Sequence, residues 1–275
     1  MRYTRRMKDT IIACNWKTNP ERWGEAQVLY RGLVEASKTL KGTELWVAPP
    51  APFIEGLSGR RSLKRIQIGA QDCSRFTAGA ETGEISAKML KESGAQFVIL
   101  GHSERRALGE SDAETNKKVQ QAQKAGLGIL LCVGERLRDE HGEYLSFIAG
   151  QVRSALHDVP KSVVRKLAIA YEPIWAIGEH AAAVDTPEDF RSVAIFIKKI
   201  VSEHSGPGAA LTVPVLYGGS VSKENAVQFI SEGDADGLLI GRASLKLTSI
   251  KSIISDVEAL KKVQRNQSSK HERTR

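Results

Sequence analysis

The sequence predicts an α/β protein built as a single (β/α)8 barrel. Eight short apolar runs recur along the chain, and longer amphipathic stretches separate them. Most of the runs are continuous rather than alternating, as parallel strands covered on both faces require. The third observation is length: 275 residues suit one α/β barrel of roughly 250 residues.

The predicted strands, in order, are Ile11–Trp16, Glu44–Ala48, Ile66–Gln71, Phe97–Gly101, Gly128–Val133, Leu167–Tyr171, Val213–Tyr217 and Gly237–Gly241. Eight strand–helix alternations favour a closed barrel over an open sheet. The clearest helix covers 187–201, where Phe190, Val193, Ala194, Ile197 and Ile200 fall at helical spacing. Thr186-Pro187-Glu188-Asp189 opens it with a cap-type residue, a proline at the first helical position and acids in the first turn. A second good helix is predicted over 245–261. No linker splits the chain, so the expected organisation is a basic extension over 1–9, one barrel over 10–261, and a basic, disordered tail over 262–275.

Bulk properties exclude several classes. The formal charge is +8, but residues 1–8 carry +4 and residues 261–275 carry +5, which leaves −1 on the body. No basic stripe interleaves with aromatics, so nucleic acid is not the expected partner. No run approaches the ~20 apolar residues of a membrane span. Cys14, Cys73 and Cys132 are widely spaced and odd in number. They read as reduced thiols of a cytoplasmic protein rather than a disulfide frame or a metal site. The start lacks the apolar core of a secretory signal.

In this architecture the site gathers at the C-terminal ends of the strands. Those ends carry Asn15-Trp16-Lys17, His102-Ser103-Glu104, Glu172-Pro173, Gly218-Gly219-Ser220 and Gly241-Arg242. Singly, each has a structural reading: a surface lysine, a capping histidine, a loop carboxylate, a tight turn. Together they suit proton transfer beside a carbonyl in a phosphorylated substrate. Such chemistry needs a base, donors that hold the enediolate oxygens, and backbone amides around the phosphate. Glycines let N–H groups approach phosphate oxygens without a Cβ in the way. Cys132 reads as a packed small residue without chemistry.

Over about residues 10–260 the sequence resembles the triosephosphate isomerase family. The matching segments are Asn15-Trp16-Lys17, GAETGEIS (79–86), LGHSERR (100–106), LCVGE (131–135), AYEPIWAIG (170–178), LYGGSV (216–221) and DGLLIGRASL (236–245). The resemblance implies a TIM barrel and no metal or organic cofactor. It implies Glu172 as the proton-shuttling base, His102 as a neutral electrophile and Lys17 as electrostatic partner. Asn15 stands beside Lys17, and Glu104 supports it. Gly178, Ser220, Gly241 and Arg242 would offer backbone N–H groups to the phosphate, alongside Asn15 and Lys17. Pro173, Ile174, Trp175, Ala176, Ile177, Gly178 and Glu179 resemble a lid. The tip of GAETGEIS, Thr82, would enter the neighbouring subunit of a homodimer. Glu81 replaces a commonly apolar tip residue.

Two departures stand out. Where the family continues Thr-Gly-Lys-Thr after AIG, this chain has Glu179-His180-Ala181-Ala182-Ala183. Where the family has Gly-Gly at strand 8, it has Gly241-Arg242. L-Erythrulose-1-phosphate isomerases share both features, which keeps a tetrulose phosphate as the alternative substrate. A non-catalytic sugar-phosphate sensor is the reading from another class. It is disfavoured because base, electrophile and lysine are all present.

Overall fold

The structure is a computed structural model and describes residues 9–59, 63–176 and 185–273, with the backbone alone at 210 and 268–273. Eight strands pair in sequence order, all parallel, and β8 closes onto β1. They are β1 (Thr10–Asn15), β2 (Thr43–Ala48), β3 (Ile66–Ala70), β4 (Phe97–Leu100), β5 (Gly128–Val133), β6 (Leu167–Tyr171), β7 (Val215–Tyr217) and β8 (Gly237–Ile240). The helices are α1 (Trp23–Ser37), α2 (Ile54–Ser58), α3 (Ala87–Glu92), α4 (Ser103–Ala107), α5 (Asp112–Lys124), α6 (Glu143–Leu156), α7 (Pro187–Ser205), α8 (Pro207–Thr212), α9 (Ala226–Ser231) and α10 (Leu247–Arg273).

Strand alternation sorts side chains into two cores. Inside the barrel lie Ile11, Ala13, Phe97, Ile99, Leu130, Cys132, Ala168, Ala170, Leu216 and Leu239. Their neighbours Ile12, Cys14, Val98, Leu131, Ile169 and Tyr171 face the helices. Small and large residues interlock: the Phe97 ring occupies the place that a Cβ on Gly69 would take, 2.5 Å away.

Capping sets where helices begin. Ser111 and Glu114 form a reciprocal capping box at α5. At α7 the Thr186 side chain accepts from the Asp189 N–H, with Pro187 at the first helical position. That helix then buries Phe190, Val193, Ile197 and Val201 completely, each side chain worth about 1.5–3 kcal/mol. Phe190→Ala would empty the aromatic cluster with Tyr171, Tyr217 and Phe229, at about 3–5 kcal/mol.

The helix α10 runs through the start of the basic tail to Arg273. Its Lys, Arg and Gln are good helix formers. Arg265 also ties the helix to the barrel, donating to the Lys41 carbonyl at 2.6 Å and to Asp9 at 2.8 Å. β7 starts two residues later than expected. The Val213 N–H bonds back to the Ala209 carbonyl, and Pro214 has no N–H to give a ladder.

Candidate active site

The ends of β1, β4 and β6 bring the predicted groups together. After β1, Asn15 is buried and its Oδ1 accepts from the Lys17 N–H at 3.0 Å. Lys17 has φ +55°, a left-handed conformation that costs a non-glycine residue of order 1–3 kcal/mol. Gln71, just past β3, secures it: its amide donates to the Lys17 carbonyl at 2.7 Å and to the Ala48 carbonyl at 2.9 Å. The Lys17 ammonium is hydrogen-bonded to the Glu104 carboxylate. Its stem passes beside Gly241, where a Cβ would sit 3.4 Å from Lys17 Cε.

After β4 the chain turns at Gly101, φ +69°, and presents His102 as the N-cap of α4. His102 Nδ1 accepts from the Glu104 N–H at 3.2 Å. An accepting Nδ1 carries no proton, so the ring's proton lies on Nε2. That Nε2 stands 3.1 Å from Glu172 Oε1. The other carboxylate oxygen of Glu172 accepts from the Ser103 N–H at 2.9 Å, at the start of the same helix.

Glu172 is buried, and two glycines make room for it. A Cβ on Gly134 would lie 1.9 Å from the Glu172 carbonyl oxygen, and one on Gly218 would lie 3.1 Å from its Cγ. Below it the Cys132 thiol is fully buried, and burial pushes its pKa well above the ordinary value. It faces the barrel interior as packing.

The described start of the lid-like segment is a 3-10 turn over Ile174–Ala176, after Pro173. Glu135, at the end of β5, anchors it. Glu135 Oε1 accepts from Trp175 Nε1 at 2.8 Å, from the Tyr171 hydroxyl at 2.8 Å and from Arg138 at 3.2 Å. Its carbonyl accepts from the Ile174 N–H at 3.0 Å. Ser220 Oγ donates to the Ala176 carbonyl at 3.1 Å. Ile177, Gly178 and Glu179 lie outside the described residues.

Arg242 opens a 3-10 turn over Arg242–Leu245 and is exposed. It is not among the positive-φ residues, so replacing the family's glycine stores no backbone strain there. Thr82 sits at the tip of an exposed loop, residues 77–85. The Ser74 N–H to Ile85 carbonyl bond closes the loop's base at 2.8 Å.

Gln71, Gly134, Glu135 and Arg138 escaped the sequence reading of the site. Gln71 ends the third apolar run and Glu135 follows the fifth, so reading every strand end alike would have found both. Among the described residues no three His, Cys, Asp or Glu side chains gather as metal ligands would, and no helix is long and apolar enough to cross a membrane.

The fold and these strand ends define a class, a barrel enzyme equipped for proton transfer. The family model for triosephosphate isomerase matches residues 10–257. Triosephosphate isomerase of Trichlorobacter lovleyi is 40% identical over 250 residues, 90% of this chain and 98% of that protein. That of Natranaerobius thermophilus is 41% identical over 243 residues, 87% of this chain and 92% of that protein. The crystal structure of triosephosphate isomerase from Bartonella henselae superposes with a TM-score of 0.76 at 35% identity, covering 90% of this chain and 98% of that one. The chain belongs to the triosephosphate isomerase family, and it is an isomerase.

Proposed function

We propose that the chain interconverts D-glyceraldehyde 3-phosphate and dihydroxyacetone phosphate by proton transfer through an enediolate. The contact between His102 Nε2 and Glu172 Oε1, 3.1 Å, carries this reading: it puts a carboxylate base and a neutral N–H donor at one point of the barrel mouth. A gap that short holds no substrate atom, so Glu172 leaves His102 and Ser103 to meet the substrate. It then takes a proton from the carbon beside the carbonyl and returns it to the neighbouring carbon. His102 Nε2–H donates to the enediolate oxygens. The Lys17 ammonium, adjoining Asn15, offsets their negative charge, and Glu104 holds Lys17 in place. No atom is gained or lost.

The phosphate end falls to the backbone N–H groups of Gly178, Ser220, Gly241 and Arg242, with Lys17 beside Gly241. The lid over 173–179 excludes water, with Trp175 held by Glu135. A homodimer completes the site, with Thr82 reaching the partner near Asn15 and Lys17. Ile85, Met89 and Leu108 support that assembly, being exposed apolar residues in and around the loop. Three buried free cysteines suit the reducing cytoplasm.

The test compares kcat/KM for glyceraldehyde 3-phosphate and L-erythrulose 1-phosphate under one condition, with Glu172→Gln as control. The triose is expected to win. A tetrulose preference of about tenfold or more, roughly 1.4 kcal/mol, overturns the substrate choice and leaves the proton-transfer roles standing. Binding without turnover of either sugar would make the chain a sensor.

A further inference from the structure

Three consecutive residues after Gly101 serve the site. His102 caps α4, the Ser103 N–H holds Glu172, and the Glu104 carboxylate holds Lys17. All three follow one rigid plane, the peptide between Gly101 and His102, whose tilt sets where α4 begins. Gly101 has φ +69°. Glycine permits that conformation and many others equally well, so the plane needs a further restraint.

Arg106 supplies it. Its side chain folds back along α4, and Nε donates to the Gly101 carbonyl at 2.7 Å. Nη1 donates at 2.5 Å to Oδ1 of Asp112, the first residue of α5. Nη2 stands 3.0 Å from the place that a Cβ on Gly101 would take, and the Cys132 carbonyl and the Thr115 methyl each stand 3.1 Å from it. The backbone N–H of Arg106 also bonds the His102 carbonyl at 3.1 Å.

For stability alone this is a poor arrangement. The Arg106 side chain is 12% exposed, and its Nη2 is buried without a hydrogen-bond partner. An apolar side chain of similar size often replaces a buried ion pair at little or no loss. Asp112 is 42% exposed and would stay solvated without the arginine. What an apolar side chain cannot do is hold the Gly101 carbonyl.

We propose that Arg106 is a positioning residue for the reaction: its planar fork locks the Gly101–His102 peptide and so aims the His102 Nε2–H at the enediolate oxygens. This inference rests on the isomerase reading above. A lysine carries the charge without the rigid fork and leaves the peptide free to rock. The aim of a donor matters most where charge develops in the transition state, so the effect falls on kcat rather than on KM.

The experiment measures kcat and KM for glyceraldehyde 3-phosphate in the unaltered full chain, Arg106→Met and Arg106→Lys, together with 15N NMR of the histidine rings. Methionine keeps an unbranched apolar stem and removes every side-chain donor. Arg106→Met is expected to keep its fold by circular dichroism, to lose about tenfold or more in kcat with KM within about twofold, and to shift the His102 Nε2–H resonance. Arg106→Lys is expected to change both in the same direction, by less. A folded Arg106→Met with kcat within about twofold of normal overturns the proposal, and so does an unmoved His102 resonance. Should Arg106→Met fail to fold, Arg106→Lys decides by the same two readouts. Inactivity of the unaltered protein toward both glyceraldehyde 3-phosphate and L-erythrulose 1-phosphate would instead count against the isomerase reading. The His102 resonance of the variants would then judge Arg106 alone: a shift supports its role, and none overturns it.

Discussion

His102 Nε2 and Glu172 Oε1 stand 3.1 Å apart, both side chains buried, while His102 Nδ1 accepts a backbone N–H from Glu104. The imidazole is thereby fixed as a donor toward the carboxylate. Imidazole 15N NMR should find His102 with a protonated Nε2 and a bare Nδ1. A proton on Nδ1 would contradict the role given to this ring.

Glu172→Asp draws the carboxylate back by about one ångström, and misplacement on that scale costs on the order of 100-fold in kcat. Glu172→Gln removes the base and should cost more. Affinity for substrate should change far less than turnover in both. A Gln variant with near-normal kcat would take Glu172 out of the mechanism.

Gln71 restrains the left-handed Lys17 through that residue's carbonyl. Gln71→Leu leaves two carbonyls, Lys17 and Ala48, without this donor. The expected loss is about 1–2 kcal/mol, roughly tenfold in kcat/KM, with the fold retained by circular dichroism. Unchanged kinetics would mean that Asn15 and Glu104 alone hold the lysine.

The exposed Ile85 and Met89 flank the base of the Thr82 loop. Replacing both with lysine should convert a dimer into a monomer, read by light scattering. Activity should then fall about tenfold or more, since in the proposed homodimer the partner's loop completes the site. A fully active monomer would separate assembly from catalysis.

Asp185, buried immediately before the Thr186 cap of α7, makes a stability prediction whose sign runs opposite to that of a salt-bridged acid. Its pKa is raised from 3.8 to about 7, so the folded chain holds a proton that the unfolded chain releases. Stability therefore falls as pH rises from about 4 to about 7. Asp185→Asn should be more stable than the unaltered chain above pH ~7, with the difference shrinking toward pH ~4. Urea melts at two pH values measure it; equal differences at both would refute the assignment.

Much of this molecule was legible because its strands are buried on both faces. Continuous runs such as Phe97–Gly101 and Leu167–Tyr171 locate strands within a residue or two, and reading the ends of barrel strands singled out Lys17, His102 and Glu172 as candidates. The residues that stayed hidden act at long range. Gln71 lies 54 positions from the carbonyl it holds, and Glu135 lies 40 from Trp175. No local period encodes such pairs. Asp185 was hidden differently, because a carboxylate before a helix cap reads as a solvated turn until the packing above it is known. The polarity of the tail likewise concealed the anchoring of Arg265.

The pairing of β1 with β8, clasped below by Asp9 and Arg265, has a consequence for how the chain is made. Of the barrel strands, β1 is made first and can pair with β2 early, but its other edge waits for β8. Until β8 is made, a nascent chain would carry an open, apolar edge on β1 of the kind that invites intermolecular pairing. The clasp becomes available only after β8 and the residues up to Arg265 have emerged, so the exposed edge is a liability of translation and not of the closed barrel.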